Sequence, residues 1–86
     1  MSASSELPVV LPVDLHARPA AALVRVVAGF SSTVEISQNG KQANARSVLA
    51  VIGLGARAGS TVVVRATGDD AEAALNAVAS TLENTE

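Results

Sequence analysis

The spacing of apolar residues changes period several times along this chain, and each change marks an element. Met1 to Ser5 is small and polar and is expected to fray. Leu7 to Pro12 reads as a short strand, placed at a sheet edge because Pro8 cannot donate to a ladder. Val13 to His16 reads as a loop. Pro19 suits the first turn of a helix. Beyond it Ala20, Leu23, Val24, Val27 and Ala28 recur at helical spacing until Gly29. Thr33 to Gln38 alternates, with Val34 and Ile36 on one face. Asn39-Gly40 then predicts a type I′ hairpin turn, with Lys41 to Asn44 as the return strand. Ser47 opens a brief apolar stretch that Gly53 and Gly55 bound. A short helix capped by Ser47 fits it. Ser60 to Thr67, with three consecutive valines, reads as a well-buried strand. A last helix begins near Gly68-Asp69-Asp70, where the aspartates and Glu72 suit the helix dipole. Its inner stripe is Ala71, Ala74, Leu75, Val78 and Leu82.

The resulting order, β-α-β-β-α-β-α, predicts an α+β two-layer sandwich with a mostly antiparallel sheet. At 86 residues the chain is expected to be a single domain, residues 1–86. A chain this short buries only about 60–65% of its unfolded surface, too little for a second core. Hydrophobic residues make up 49% of it, so one packed core is available. Phe30 is its only aromatic residue, so that core must be aliphatic and rich in alanine.

Charge and composition then narrow the function classes. The net charge is -2 and the basic residues are scattered, which argues against a nucleic-acid partner. With one histidine and no cysteine, no metal site and no cofactor are expected. No apolar stretch approaches the ~20 residues that span a bilayer, and no secretion signal is recognisable. Hence no membrane insertion is expected, and a cytoplasmic setting is the default.

One segment carries candidate chemistry: Leu15-His16-Ala17-Arg18-Pro19-Ala20-Ala21. A lone histidine is ordinarily surface decoration or a structural hydrogen-bonding group. Here it precedes a helix start, where backbone N–H groups lack partners and the dipole favours an anion. The Arg18 guanidinium matches phosphate oxygens. Imidazole is a nucleophile near neutral pH. The small residues Ala17, Ala20 and Ala21 leave room for another protein's active site. Nucleophile, anion hole, cation and access together describe a carrier of phosphoryl groups.

His16-Ala17-Arg18-Pro19 resembles the phosphorylation motif of HPr, the histidine phosphocarrier family of the bacterial sugar phosphotransferase system. Gly40-Lys41, followed by Arg46-Ser47-Val48-Leu49-Ala50-Val51-Ile52-Gly53-Leu54-Gly55, resembles that family's regulatory-serine region. The separation of the two blocks and the order of elements also match, so the resemblance runs from about Leu7 to Leu82. It implies an HPr-like open-faced sandwich, with four antiparallel strands covered on one face by helices. It also implies a carrier without catalysis of its own. Enzyme I would transfer phosphate from phosphoenolpyruvate to Nδ1 of His16, Arg18 would stabilise it, and the IIA domain of a sugar permease would receive it. Ser47 falls on the serine that a dedicated kinase, opposed by a phosphorylase, modifies in some bacteria. Helix capping alone also accounts for a serine there. Val48, Leu49 and Ile52 would contact partners, with core packing as the competing role for at least half of this stretch. Transient docking by a monomer is expected. Arg25, Lys41, Arg46 and Arg57 suit acidic partner surfaces, and an ordinary solvated face accounts for each equally well.

One position departs from the family pattern: Asp14 stands where glycine is usual, two residues before the histidine. Aspartate tolerates unusual backbone conformations. Its charge matters more, because a carboxylate turned toward His16 would oppose a bound phosphate dianion, whereas one turned to solvent would not. Asp14 would also fit a specialised branch serving fructose or dihydroxyacetone. Two other classes stay open. A small-molecule-binding regulatory domain predicts ligand binding insensitive to His16→Ala. A purely regulatory relative acting through Ser47 ordinarily lacks the histidine. Which sugars are served is not written in the chain.

Overall fold

The computed structural model describes residues 3–85. Its elements are β1 (Ala3–Val10), α1 (Ala17–Val27), β2 (Thr33–Gln38), β3 (Lys41–Asn44), α2 (Val48–Gly53), β4 (Thr61–Gly68) and α3 (Ala71–Glu83). The strands form one antiparallel sheet in the order β1-β4-β2-β3. All three helices lie on one face. α3 packs over β1 and β4, α1 packs on α3, and α2 bridges α1 and β3. The expected open-faced α+β sandwich is the observed one.

Local chemistry explains most element boundaries. Asn39 and Gly40 take φ values of 51° and 80°, the left-handed pair that a type I′ turn requires. Val34 and Ile36 are fully buried on the helix-facing side of β2. Pro8 lies in β1, an edge strand, as the missing donor demands. In α3, Ala71, Ala74, Leu75, Val78 and Leu82 are all buried, and Ala79 joins them.

Other expectations need correction. β1 begins at Ala3 rather than Leu7, so the fraying expected for residues 1–5 does not extend to Ser4 and Ser5. They pair with Thr67 and Ala66. Backbone pairing holds them, and it needs no apolar side chain. Met1 and Ser2 lie outside the described residues. At its other end β1 stops at Val10. Leu11 leaves the ladder to donate to the Ser60 carbonyl at 2.9 Å and to accept from Gly59 N–H at 2.8 Å. β4 is buried on one face only. Val62, Val64 and Ala66 face the helices, while Val63 is half-buried on the open side, opposite Pro8 and Ser37. A run of three valines cannot all point one way in a pleated strand. Gly53 ends α2 from within, and Ala28 is exposed.

The core is aliphatic and rich in alanine. Leu23, Ile36, Val62, Val64, Val78 and Leu82 are closed off from solvent, with Ala20, Ala66 and Ala74 among them. Phe30 is only partly buried at its margin. Small side chains let helices approach the sheet closely, which suits a core with no ring in it.

Candidate functional site

Alternation along the loop before α1 decides which side chain reaches solvent. Leu15 is anchored in the core, 2% exposed, and its N–H donates to the Ala56 carbonyl at 2.9 Å. His16, the next residue, is therefore turned outward and exposed. It occupies the N-cap of α1 in an extended conformation, with φ -102° and ψ -158°. Its carbonyl accepts from Ala20 N–H at 2.9 Å, which starts the helix. Its imidazole makes no capping hydrogen bond.

The first turn therefore has donors to spare. Among the described residues, the amides of Ala17 and Arg18 donate to no protein atom. Pro19 has no N–H and is buried. Two amides thus remain at the positive end of the helix dipole, beside the exposed Arg18 guanidinium, which has no hydrogen bond to any described residue. The arrangement offers a nucleophilic ring nitrogen, two backbone donors and a cation at an open surface.

Asp14 takes a course that neither sequence alternative described. Its carboxylate Oδ1 accepts from the Ala58 amide at 2.8 Å, and its carbonyl accepts from His16 N–H at 2.8 Å. The side chain thus fastens the histidine loop to the turn that precedes β4. An open cleft of about 230 Å³ runs along this seam, lined by Asp14, Leu15, His16, Ile52, Gly55, Ala56 and Arg57. Ile52 brings the end of α2 to the histidine, so the two sequence blocks meet here.

The remaining candidate residues separate clearly. Ser47 caps α2, its Oγ accepting from Ala50 N–H at 3.2 Å. Val51 is buried, Val48 and Ile52 are half-buried, and Leu49 is 84% exposed. Ala17 is exposed beside His16. Ala20 is not available to a partner: it is 0% exposed, because α1 turns it onto the core. Arg46 is not a free cation either. Its Nη2 donates to the Phe30 carbonyl at 2.7 Å and to the Ser32 carbonyl at 3.3 Å. Among the described residues, no three histidine, aspartate or glutamate side chains converge in a way that could hold a metal ion. No helix among them is long and apolar enough to cross a membrane. The sequence signals missed Arg57 as a neighbour of the histidine. It counted only as one scattered cation, since nothing local links residue 57 to residue 16.

A family model, PTS-HPr, described as the PTS HPr component phosphorylation site, matches residues 3–84. The phosphocarrier protein HPr of Mycoplasma capricolum is 37% identical over 73 residues, covering 85% of this chain and 82% of that protein. The HPr of Cupriavidus necator is 38% identical over 72 residues, covering 84% of this chain and 81% of that protein. The crystal structure of an HPr from Bacillus anthracis aligns with a TM-score of 0.83 at 33% identity, covering 95% of this chain and 98% of that one.

Proposed function

The chain belongs to the HPr family, the phosphocarriers of the phosphotransferase system, and on that premise we propose that His16 is the residue that carries the phosphoryl group. The observation that carries this reading is the start of α1. An exposed imidazole stands there beside two unpaired amides and an uncommitted arginine. A ring nitrogen of His16, Nδ1 in this reading, attacks phosphorus with its lone pair. The bond from phosphorus to the donor breaks, and its electrons leave with the donor. The Ala17 and Arg18 amides and the Arg18 guanidinium receive the phosphoryl oxygens. In the second step the acceptor attacks, the N–P bond breaks, and neutral imidazole is restored.

The donor in this reading is enzyme I, charged from phosphoenolpyruvate, and the acceptors are IIA domains of sugar permeases. The open cleft supports it, since a carrier must admit the active site of each partner in turn. Leu49, Val48, Ile52 and Ala17 form the apolar rim on which those partners dock. The contacts are transient and made by a monomer in the cytoplasm, with no cofactor. Ser47 stands at the other end of α2 from Ile52. A kinase that phosphorylates it would add charge beside this rim and weaken docking.

The test is incubation with phosphoenolpyruvate and enzyme I, followed by mass spectrometry. One acid-labile phosphate on the wild type, absent from His16→Ala, is the expected result. Label that persists in His16→Ala, or a wild type that takes none, overturns the reading.

A further inference from the structure

We infer that Arg57 is a second phosphate-binding cation at His16, offsetting the charge that Asp14 brings into the same cleft; this rests on His16 being the phosphoacceptor. Both residues line that cleft with the histidine. An exposed arginine is usually a solvated one, so its backbone setting decides the matter. Ala56 accepts from Leu15 N–H at 2.9 Å, and the Ala58 amide donates to Asp14 Oδ1 at 2.8 Å. The residues on either side of Arg57 are thus fastened to the two residues that precede His16. Arg57 itself is held at both backbone groups. Its N–H donates to Ser60 Oγ at 3.2 Å, and its carbonyl accepts from Ser60 N–H at 3.0 Å and Ser60 Oγ at 2.5 Å. The turn holds the root of this side chain at one place beside the histidine.

The guanidinium is also uncommitted. Arg46 spends its guanidinium on two carbonyls, and Arg65 donates from Nε to Ser4 Oγ at 3.3 Å. Arg57 has no side-chain hydrogen bond to any described residue. The charge count points the same way. The charged residues lining the cleft with His16 are Asp14 and Arg57, Arg18 follows in the first turn of α1, and α2 carries no charge between Val48 and Gly53. Without Arg57, the Asp14 carboxylate would cancel Arg18 as the dianion arrives. With it, one net positive charge remains, and the guanidinium supplies paired donors to phosphoryl oxygens. Asp14 can then serve as a clamp without ejecting the phosphate.

The test begins with chemical phosphorylation by phosphoramidate, in which the imidazole nitrogen displaces ammonia at phosphorus and no partner protein is needed. The ³¹P signal is followed against pH to find where the phosphoryl dianion takes up a proton to become the monoanion. A nearby cation favours the dianion and lowers that midpoint. In Arg57→Ala the midpoint should rise by about 0.5 to 1, a three- to tenfold change in proton affinity. Arg57→Lys should recover most of it. The difference should shrink in 1 M salt, where the Debye length is about 3 Å. Asp14→Asn keeps the acceptor for Ala58 and should move the midpoint down. A merely structural arginine would show none of this pattern. Wild-type and Arg57→Ala midpoints that coincide at low salt overturn the inference and leave the phosphoacceptor standing. A wild type that acquires no acid-labile phosphate at His16 overturns both.

Discussion

Two helix starts in this molecule treat their polar residues in opposite ways. At α1, His16 makes no capping bond and the amides behind it stay unpaired. At α3 the corresponding residue is Asp70. It does not cap its own helix either. Instead its carboxylate reaches across to the α1–β2 connection. Oδ2 accepts from Ser31 N–H at 2.9 Å, and Oδ1 accepts from Ser32 N–H at 2.9 Å and from the Ser32 hydroxyl. The Ser32 hydroxyl bond, then the Ser31 amide, draws the Asp70 carboxyl down to about 2 from its ordinary 3.8. Arg46 closes the same knot through the Phe30 and Ser32 carbonyls. Donors and acceptors there are spent on holding segments together. Those at His16 have no partner among the described residues, which suits the phosphoryl group we propose it carries. The contrast separates positions where polar chemistry stabilises the fold from those where, on the proposed reading, it serves transfer.

The largest effect should come from crowding the knot. Gly68 has φ 145°, and a Cβ there would stand 2.6 Å from Ser32 Oγ and 2.9 Å from Ser32 Cα. Gly68→Ala should cost about 2–3 kcal/mol in denaturant titration. The folded fraction should still take phosphate at His16; loss of acceptance by that fraction would mean the two regions are not separate. Acid comes next. A carboxyl whose value is lowered on folding contributes its full stabilisation above about 4 and loses it as pH falls through about 2. Wild-type stability should therefore fall across that window, and Asp70→Asn should lack that portion of the fall. Identical acid profiles for the two proteins would remove the carboxylate from the knot's energetics. The smallest effect belongs to the other helix start. His16→Ala should change unfolding free energy by no more than about 0.5 kcal/mol, because the ring contributes no cap. A loss like that of Gly68→Ala would erase the distinction.

Much of the fold could be read along the chain, because its causes are local. Period-two and helical repeats, the Asn39-Gly40 turn and the Ser47 cap each depend on a few neighbouring residues. Nothing local marks Ser4 and Ser5 as strand, because their order comes from β4, which lies far along the chain. The site was legible to the same depth. His16, Arg18 and the nearby helix start lie within one short segment, and the apolar stretch behind Ser47 within another.

What the sequence determined by itself was the order of elements, the turn, and a histidine before a helix with an arginine beside it. What only the tertiary structure decided was where charged and small side chains spend themselves. Asp14 meets Ala58 across 44 positions, and Asp70 meets Ser31 across 39. Ala20, small enough to look accessible, is sealed into the core. Arg46 and Arg57 look alike in sequence, yet one guanidinium is bound to carbonyls and the other has no partner among the described residues. The physical reason is common to all of these. Backbone periodicity is set by neighbours, whereas the partner of a polar side chain is set by which distant segments the packed core brings alongside it.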